Sequence, residues 1–234
     1  MPDPSSLPPT KRARRKEARP GELLAAALEL FAEKGFAATR AEEVALRAGV
    51  SKGTLFLYFA TKEELFKAVV REHIAHRFPH WDTEIEAFPG SSAELLRLSL
   101  TTWWERVGNT SASAILRLML AEAHNFPELA SFYQQEVVQP GQRLLRRILQ
   151  RGIDHGEFRP MDTRYAVFSL LAPMLFLVAW KHAGHLRHHA PGTPQIVPED
   201  YIRAQLDIVL GGLLLDPSSP ADTSAASHRL ETRS

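Results

Sequence analysis

The sequence predicts an all-α protein of about nine helices, with a three-helix unit of helix-turn-helix type near its N-terminal end and a larger helical domain after it. Apolar residues recur at three- and four-residue spacing through most of the chain, which is typical of amphipathic helices. Several of these runs begin with Ser, Thr or Asn followed three positions later by Glu, the pattern of a helix capping box. No stretch alternates apolar and polar residues as a half-buried strand does, and no internal repeat is visible.

The composition is that of an ordinary globular protein. The chain has 234 residues, of which 44% are hydrophobic and 24% charged, and its formal net charge is +1. It contains no cysteine, which excludes disulfides, thiol catalysis and cysteine metal sites. The longest apolar run, Leu170 to Trp180, is shorter than the roughly 20 residues that span a membrane, and no secretory signal is visible. We therefore expect a cytoplasmic protein with no membrane partner.

The first segment, residues 1–18, is rich in Pro, Ser and Arg, and we expect it to be a disordered basic arm. From Lys11 to Arg19 the chain holds six basic residues and one acidic residue, Glu17. Two interpretations are open: a solvated tail, or an arm that neutralises phosphates or enters a DNA minor groove. The segment directly precedes the helix-turn-helix unit, which favours the second interpretation.

Residues 19–60 are predicted to form the helix-turn-helix unit. Its first helix is expected from about Gly21 to Lys34, with Gly35 as its end. The apolar residues of this helix and of the two that follow are expected to share one small core: Leu23, Ala27, Leu30, Phe31, Phe36, Val44, Leu55 and Phe59.

A helix, a tight turn and a second helix are predicted within residues 39–66. Thr39 and Glu42 are spaced as a capping box that starts the first of them. Gly49 is expected to end it, because glycine takes a left-handed conformation past a helix end without steric cost. A glycine-containing turn between two short helices is the layout of a helix-turn-helix motif.

The second helix of the motif is predicted from about Lys52 to Tyr58, with Ser51 as its N-cap. Thr61 and Glu64 form a further capping box, which starts a fourth helix. The outer face of the second helix carries small, basic, hydroxylic or aromatic residues and no acidic one: Lys52, Gly53, Thr54, Leu57 and Tyr58. This surface suits phosphates and base edges in a major groove, although a helical hairpin with a merely solvated face shows the same pattern.

The segment VALRAGVSKGTLFLYFATKEELF, residues 44–66, closely resembles the DNA-binding helices of the TetR family of transcriptional repressors. It carries an alanine-x-x-alanine-glycine-valine turn, then serine-lysine-glycine-threonine-leucine, then tyrosine-phenylalanine followed by lysine-glutamate. The upstream LELFAEKGFAATR, residues 28–40, resembles the end of the family's first helix and its link to the second. One departure is Leu57, which stands where many relatives carry histidine, tyrosine or asparagine. Leucine offers no hydrogen bond, so it is suited only to a thymine methyl or a sugar.

The resemblance implies a dimeric repressor that binds a palindromic DNA operator through two copies of the 52–58 helix. The residues that it assigns to DNA contact are Thr39, Arg40, Ser51, Lys52, Gly53, Thr54, Leu57, Tyr58 and Lys62. Among these, the resemblance places Lys52, Tyr58 and Lys62 at phosphates. It places Thr54 and Arg40 at or near base edges.

Residues 61–215 are predicted to form a helical domain, followed by a flexible polar tail over residues 216–234. The fourth helix is expected to run from Thr61 toward His76 or beyond, where Pro79 limits or kinks it. Two more capping boxes, Ser91 with Glu94 and Asn125 with Glu128, are expected to mark the N-termini of further helices.

The later part of this domain is punctuated by proline and glycine. Pro140-Gly141 is expected to interrupt the helical pattern, and residues 152–160 to form a loop. The last two helices are predicted at about 162–185 and 199–214, and Pro173 is expected to kink the first.

Members of the TetR family hold a ligand between the DNA-binding helices and the dimer helices, so the resemblance implies a pocket there. The candidate lining is mostly aromatic: Leu100, Trp103, Trp104, Met119, His124, Phe126, Phe132, Tyr133, Phe168, Met174, Phe176 and Trp180. Each of these is individually more typical of a core residue than of a ligand contact. Together they suit a lipophilic or aromatic effector, with Glu105, Glu122 and Arg117 as the charges that would select a cation or an anion.

The last two helices are apolar over wide arcs, which favours burial against a partner. One stripe comprises Phe168, Leu171, Leu175, Phe176 and Ala179, and the other comprises Ile202, Leu206, Val209, Leu210 and Leu213. The resemblance implies a homodimer held by a four-helix bundle of these helices.

Other functions have weaker support. Two histidine groups at helical spacing lack a carboxylate or cysteine to complete a metal site, and we expect no metal: His73, His76 and His80, and His182, His185 and His189. No Gly-rich phosphate loop, nucleophile elbow or HExxH motif is present, and no cofactor is expected.

The leading hypothesis is a repressor that a small effector releases from DNA by moving the fourth helix. A DNA-binding regulator controlled by a protein partner, or by no effector, is the alternative, and a helical enzyme is a remote one.

Overall fold

The structure is a computed structural model, and it describes residues 11–183 and 196–214. These residues form eleven α-helices: α1 (Lys11–Ala38), α2 (Ala41–Arg47), α3 (Lys52–Tyr58), α4 (Lys62–His73), α5 (Phe78–Ala87), α6 (Ser92–Trp103), α7 (Ser113–Glu122), α8 (Pro127–Tyr133), α9 (Gln139–Asp154), α10 (Thr163–His182) and α11 (Pro198–Leu213). Across these two ranges the β structure is limited to an isolated antiparallel bridge between Phe158 and Leu214. The prediction of an all-helical fold is confirmed.

Several helices continue into one another through short turns of other helical types. A 3-10 turn, Ala75–Arg77, links α4 to α5, and a π-helical turn, Gln134–Val138, links α8 to α9. A second π-helical turn, Trp104–Gly108, extends α6. The predicted basic arm up to residue 10, His185 and His189, and the predicted tail over residues 216–234 lie outside the described residues.

Helix α1 begins earlier than predicted, at Lys11, so that residues 11–18 are helical rather than disordered. This stretch consists largely of Lys, Arg, Glu and Ala, which have high helix propensity. At the other end of α1, Gly35 breaks the helical path, as predicted, with φ of 83° and ψ of 173°. These angles lie in a region that is essentially restricted to glycine.

Two prolines that were expected to limit or interrupt helices instead lie at helix starts. Pro79 is in the first turn of α5, and Pro140 is in the first turn of α9. A proline is tolerated there because the first amides of a helix have no partner within it. The predicted interruption at Pro140-Gly141 is therefore wrong, and α9 runs on to Asp154, into the predicted loop.

Three predicted N-caps are confirmed: Ser51, Thr61 and Ser91. Each side-chain oxygen accepts a hydrogen bond from the backbone amide three residues on, at 3.1, 3.1 and 3.2 Å. Each of these bonds satisfies an amide that has no partner within its own helix.

Two other predicted caps are wrong. Arg40, not Thr39, is the N-cap of α2, and its backbone amide donates to Glu43 Oε2 at 2.9 Å. Phe126, not Asn125, is the N-cap of α8. In the first case the reason is that the Thr39 hydroxyl is bonded to the end of α1, as described below.

The apolar interior divides into two clusters. The first cluster joins α1–α4 to α7 and α8, and its buried residues include Leu23, Leu30, Phe31, Phe36, Val44, Leu55, Leu65, Phe66, Val69, Ile115, Met119, Leu129 and Tyr133. The second cluster joins α5, α6 and α9–α11, and its buried residues include Ile85, Leu96, Leu100, Trp104, Ile148, Leu149, Phe158, Val167, Leu170, Met174, Leu177, Ile202, Leu206 and Leu210. Trp103 and Leu116 are half-buried and pack against both clusters. The helix-turn-helix unit therefore shares its core with part of the helical domain.

Helix α10 is apolar on more than one face. By length and composition it is the one helix, among the described residues, that would be able to cross a membrane, with a mean hydropathy of 1.5. Its residues Val167, Leu170, Met174, Leu177 and Val178 are buried in the second cluster.

The exposed apolar surface of α10 and α11 agrees with the predicted stripes only in part. On α10, Phe168 and Phe176 are 50% and 44% exposed, and the ring of Phe176 also meets that of Tyr201 on α11, with centroids 5.6 Å apart. On α11 the predicted stripe is instead mostly buried in the second cluster, at Ile202, Leu206, Leu210 and Leu213. The exposed small and apolar residues of α11 are Ala204, Ile208, Gly211 and Gly212.

Candidate nucleic-acid interface and its link to the helical domain

Helix α3 is short, and the protein holds it by its inner side and its N-terminus. On the inner side Leu55 is fully buried in the first cluster, and Phe59 packs against the same cluster just after the helix. At the N-terminus the Ser51 hydroxyl accepts from the Thr54 amide and lies 2.9 Å from the Thr54 hydroxyl. The remaining face of α3 is left to solvent.

The outer face of α3 carries the predicted DNA contacts. Lys52 and Gly53 are exposed, Tyr58 is half-buried, and Leu57 is 85% exposed. A Cβ at Gly53 would meet only Ser51 Oγ, at 3.8 Å, so packing inside the protein does not require a glycine there. Gly53 and Leu57 are four residues apart and therefore lie on the same side of the helix.

Basic side chains around this face are held by acidic ones. Lys52 Nζ lies 2.5 Å from Glu42 Oε1, and this hydrogen bond lowers the pKa of the Glu42 carboxyl. In the same way, Lys34 pairs with Glu43 at 2.5 Å. These pairs are exposed, so they exchange readily with water or with a phosphate. Arg40 is exposed at the start of α2.

Two residues predicted to contact DNA are engaged inside the protein. Thr39 is 1% exposed, and its hydroxyl donates to the carbonyls of Gly35, at 2.7 Å, and Leu30, at 3.3 Å. The structure therefore does not place the Thr39 side chain on the interface. Its bonds instead close the end of α1.

Lys62 is the second of these residues. Its ammonium donates to three carbonyls, those of Phe36, Ala37 and Thr39, at 2.8, 3.3 and 3.0 Å. An ammonium has three N–H donors, so a phosphate contact would have to compete with these bonds. Burial lowers the pKa of Lys62, and the nearby carboxylates of Glu63 and Glu122 oppose that shift. The cation also lies 4.4 Å from the centre of the Phe36 ring.

The same backbone segment is held from the opposite side by α7. The Glu122 carboxylate accepts from the Phe36 amide at 3.1 Å and from the Ala37 amide at 3.2 Å. A Cβ at Gly35 would come within 2.5 Å of Glu122 Oε1, so a larger residue there would displace this carboxylate. Residues 35–39, which we call the α1–α2 connection, are thus bonded to both α4 and α7.

Two further contacts strengthen the attachment of α7 and α8 to the end of α1. Arg117 Nη2 on α7 donates to the Ala32 carbonyl at 2.6 Å. The ring of Phe126 meets the ring of Phe36 edge-on, with centroids 4.8 Å apart. From the sequence, Glu122 and Arg117 were expected only as charges that a ligand would meet. Their structural role was missed because Gly35 and Glu122 are far apart in the sequence, and no local sequence pattern connects them.

The predicted effector-binding residues are not brought into one pocket. Met119, Phe126 and Tyr133, with Phe132, belong to or pack on the first cluster, whereas Leu100, Trp104 and Met174 belong to the second. His124 is exposed in the turn after α7, which removes it from the interior. Phe168 and Phe176 are on the exposed face of α10, where Trp180 stacks on Phe176 at 6.1 Å. Trp103, at the boundary of the clusters, is the one candidate that contacts both of them.

A cavity of about 540 Å³ lies between α6 and α11. Its lining is largely charged: Arg97, Thr101, Trp104, Glu105, Glu199, Ile202, Arg203, Leu206 and Asp207. Arg97 is paired with Asp207 at 2.7 Å and Arg203 with Asp200 at 2.9 Å. The indole N–H of Trp104 is buried and has no acceptor among the described residues. Of the predicted aromatic and apolar lining, Trp104 reaches this cavity, and of the charges expected to meet a ligand, Glu105 does.

Two family models match the chain. That of the bacterial regulatory proteins of the tetR family matches residues 23–69, and that of the tetracyclin repressor-like C-terminal domain matches residues 90–209. The transcriptional repressor KstR2 of Mycobacterium tuberculosis is 27% identical over 197 residues, covering 83% of this chain and 92% of the relative. The transcriptional regulator RutR of Escherichia coli is 26% identical over 200 residues, covering 80% of each.

Solved structures share the fold. The ketosteroid transcriptional regulator KstR2 of Mycobacterium tuberculosis superposes with a TM-score of 0.61 at 23% identity, covering 85% of this chain and 96% of the other. The regulator FadR of Bacillus subtilis, in complex with stearoyl-CoA, superposes with a TM-score of 0.64 at 20% identity, covering 82% and 98%.

Proposed function

Because the chain belongs to the TetR family of transcriptional regulators, we propose that it is a ligand-responsive repressor that binds a palindromic DNA operator as a homodimer. The observation that carries the DNA-binding part is the outer face of α3. That face is exposed, has no acidic residue and stands on a buried Leu55. In the proposed complex two copies of α3 enter successive major grooves, about 34–36 Å apart.

The homodimer part of the proposal is supported by the exposed side of α10 and α11. Tyr165, Phe168 and Phe176 are 72%, 50% and 44% exposed on α10, and Ile208 is 77% exposed on α11. Large aromatic residues in such a row are typical of an interface rather than of free surface. Near Ile208, the exposed Gly211 and Gly212 would let a second helix approach closely.

We propose a lipophilic effector that bears at least one oxygen acceptor, and a binding site beside Trp103 where the two clusters meet. Trp103 and Leu116 contact both clusters, so a ligand inserted there would separate them. Trp104 reaches the cavity between α6 and α11, and its buried N–H would donate to an oxygen of a ligand that extends from Trp103 into that cavity. Two similar proteins are associated with such compounds: KstR2 is a ketosteroid transcriptional regulator, and the structure of FadR from Bacillus subtilis contains stearoyl-CoA.

The proposed response to the effector runs through the α1–α2 connection. A ligand that displaces α7 would pull on Glu122, and one that displaces α4 would pull on Lys62. Both side chains hold the backbone of Phe36 and Ala37, which leads directly into the helix-turn-helix motif. Movement of either helix would therefore change the distance between the two copies of α3, and operator affinity would fall.

The operator is obtained by selection from random duplex DNA with the purified protein, and affinity is then measured on the selected and a scrambled duplex. We expect the parent protein to select a palindromic site, and we expect the Lys52→Glu variant to select none.

The oligomeric state is measured by analytical ultracentrifugation. Ile208→Arg is expected to give monomers that bind the operator weakly, and Leu120→Glu, at a leucine that is 65% exposed on α7, is the control that stays dimeric. A parent protein that selects no sequence would refute the proposed function.

The effector is tested with two probes, a 3-ketosteroid and a long-chain acyl-CoA. We expect one of them to raise the melting temperature of the free protein and to weaken operator binding. Linkage requires operator DNA to weaken binding of that probe by the same factor. Trp104→Phe, which removes the N–H donor and keeps an aromatic ring, should weaken binding of that probe without changing operator affinity. If neither probe nor any co-purified compound acts, control by a protein partner becomes the better hypothesis.

A further inference from the structure

Leu57 is the most exposed large apolar residue in the described part of the chain, at 85%. It lies in the middle of the outer face of α3, on a helix whose opposite side is fixed by the buried Leu55. Side chains on a helix lean toward its N-terminus, over the turn that holds the residues three and four positions earlier. For Leu57 these residues are Thr54 and Gly53.

The surface below Leu57 is bare. Gly53 has no side chain, and a Cβ added there would meet only the Ser51 hydroxyl. Leu57 and Gly53 together therefore form an apolar patch at the centre of a polar face, with no hydrogen-bonding atom in either side chain.

The polar residues beside this patch are already engaged. The Thr54 hydroxyl lies 2.9 Å from the Ser51 hydroxyl, which also accepts from the Thr54 amide. The Lys52 ammonium is paired with Glu42. Lysine at a helix start suits a phosphate, so the centre of the face is left to an apolar contact.

Among the groups that base pairs present in the major groove, the 5-methyl of thymine is the apolar one. We propose that Leu57 selects a thymine in each half of the operator by packing against that methyl group, with Gly53 allowing the close approach. This inference rests on the proposed function, since it needs α3 to enter the major groove. It makes Leu57 a residue that determines which operator is chosen.

The test uses the parent protein, Leu57→Ala and the control Leu120→Ala, each taken through selection from random duplex DNA. Leu120 is an exposed leucine on α7, outside the proposed interface. We expect the parent and the control to select the same palindrome with a thymine at one position of each half-site. Leu57→Ala should lose the preference at that position and keep the rest of the site.

A second measurement removes the methyl group alone, by replacing that thymine with deoxyuridine. Loss of one buried methyl should weaken binding of the parent about three- to fivefold per half-site. Leu57→Ala should bind the two duplexes equally. If the parent binds both duplexes equally, or if Leu57→Ala is as sensitive to deoxyuridine as the parent, the assignment of Leu57 is overturned. That result leaves the proposed function intact, whereas failure to select any operator refutes the proposed function itself.

Discussion

The outer face of α3 and the α1–α2 connection lie in the same small N-terminal unit, yet they are built in opposite ways. Leu57 and Gly53 on α3 are exposed and make few contacts within the chain. The backbone of Phe36 and Ala37 in the connection is bonded from two sides, by Lys62 of α4 and Glu122 of α7. The first surface is available to a partner, and the second is already occupied by the protein itself.

This difference shows that residue type alone does not tell whether a side chain is exposed to a partner or bonded within the protein. Lys52 and Lys62 are both lysines near a helix start. Lys52 forms an exposed ion pair with Glu42, whereas Lys62 donates hydrogen bonds to three backbone carbonyls. Thr54 and Thr39 differ in the same way, since Thr54 is half-buried on α3 and Thr39 is fully buried. Substitutions in the connection should therefore act first on folding, and those on α3 first on DNA.

The largest effect is expected from Gly35→Ala. Alanine is strained at the φ and ψ of Gly35, and its Cβ would lie 2.5 Å from Glu122 Oε1, which must move away from two amides. We expect a loss of roughly 2–4 kcal/mol in the free energy of unfolding, from strain together with broken hydrogen bonds. Chemical denaturation measures this loss.

Gly156→Ala is the matched control for Gly35→Ala. Gly156 also has a positive φ, of 70°, but a Cβ there meets nothing within 4 Å. Its substitution should cost about 1 kcal/mol, from backbone strain alone. Equal losses for the two variants would show that contact with Glu122 does not matter.

The next largest loss of stability is expected from Lys62→Met, and Lys52→Met is the variant to compare with it. Removing the Lys62 ammonium takes a donor from three carbonyls, of which that of Phe36 keeps the Thr39 amide, and this should cost about 1.5–3 kcal/mol of stability. Lys52→Met should leave the free energy of unfolding within about 0.5 kcal/mol, because its ion pair is exposed. On the operator, Lys52→Met should lower the log–log salt slope by about 0.9 for each phosphate that the lysine neutralises in the parent complex.

The outcome that would contradict this comparison is an exchange of the two effects. If Lys62→Met unfolded at the parent's denaturant concentration but flattened the salt slope, Lys62 would be the phosphate contact first predicted from the family resemblance. The bonds to Phe36, Ala37 and Thr39 would then be ones that DNA replaces.

Much of the fold was predictable because it depends on local patterns. The caps at Ser51, Thr61 and Ser91, the break at Gly35 and the buried core around Phe31 follow from residue types at fixed spacing. The TetR resemblance was equally local, because it rests on one continuous segment.

What was not predictable depends on contacts between distant parts of the chain. Glu122 meets Phe36 across 86 residues, and nothing near either position indicates the pair. The effector candidates were chosen as large side chains, a criterion that does not separate the first cluster from the second or from the exposed Phe168 and Phe176. The interruption predicted at Pro140 was wrong because proline interrupts a helix only after the first turn.

A smaller effect is expected from Glu122→Gln. The amide side chain keeps one oxygen, so one of the two amides, Phe36 or Ala37, loses its acceptor at a cost of about 1–2 kcal/mol. Hydrogen exchange at these amides should accelerate by about tenfold or more, while exchange in α9 stays unchanged. Glu128→Gln, at an exposed position of α8, is the control and should leave the connection protected. Unchanged exchange at both amides in Glu122→Gln would show that α7 does not hold the connection.

A small effect on stability, with the opposite sign, is expected from Gly53→Ala. Glycine inside a helix is less favourable than alanine by roughly 0.5–1 kcal/mol, and the added Cβ meets only Ser51 Oγ at 3.8 Å, so the variant should be more stable than the parent. The same Cβ projects from the face proposed to approach DNA, and operator affinity should fall although the fold is strengthened. Gly21→Ala in α1 is the control, because a Cβ there meets nothing within 4 Å. It should raise stability and leave operator binding unchanged. A Gly53→Ala protein that gains stability and keeps its operator affinity would mean that α3 does not approach DNA closely at this point, and the contrast between the exposed face and the α1–α2 connection would lose its functional meaning.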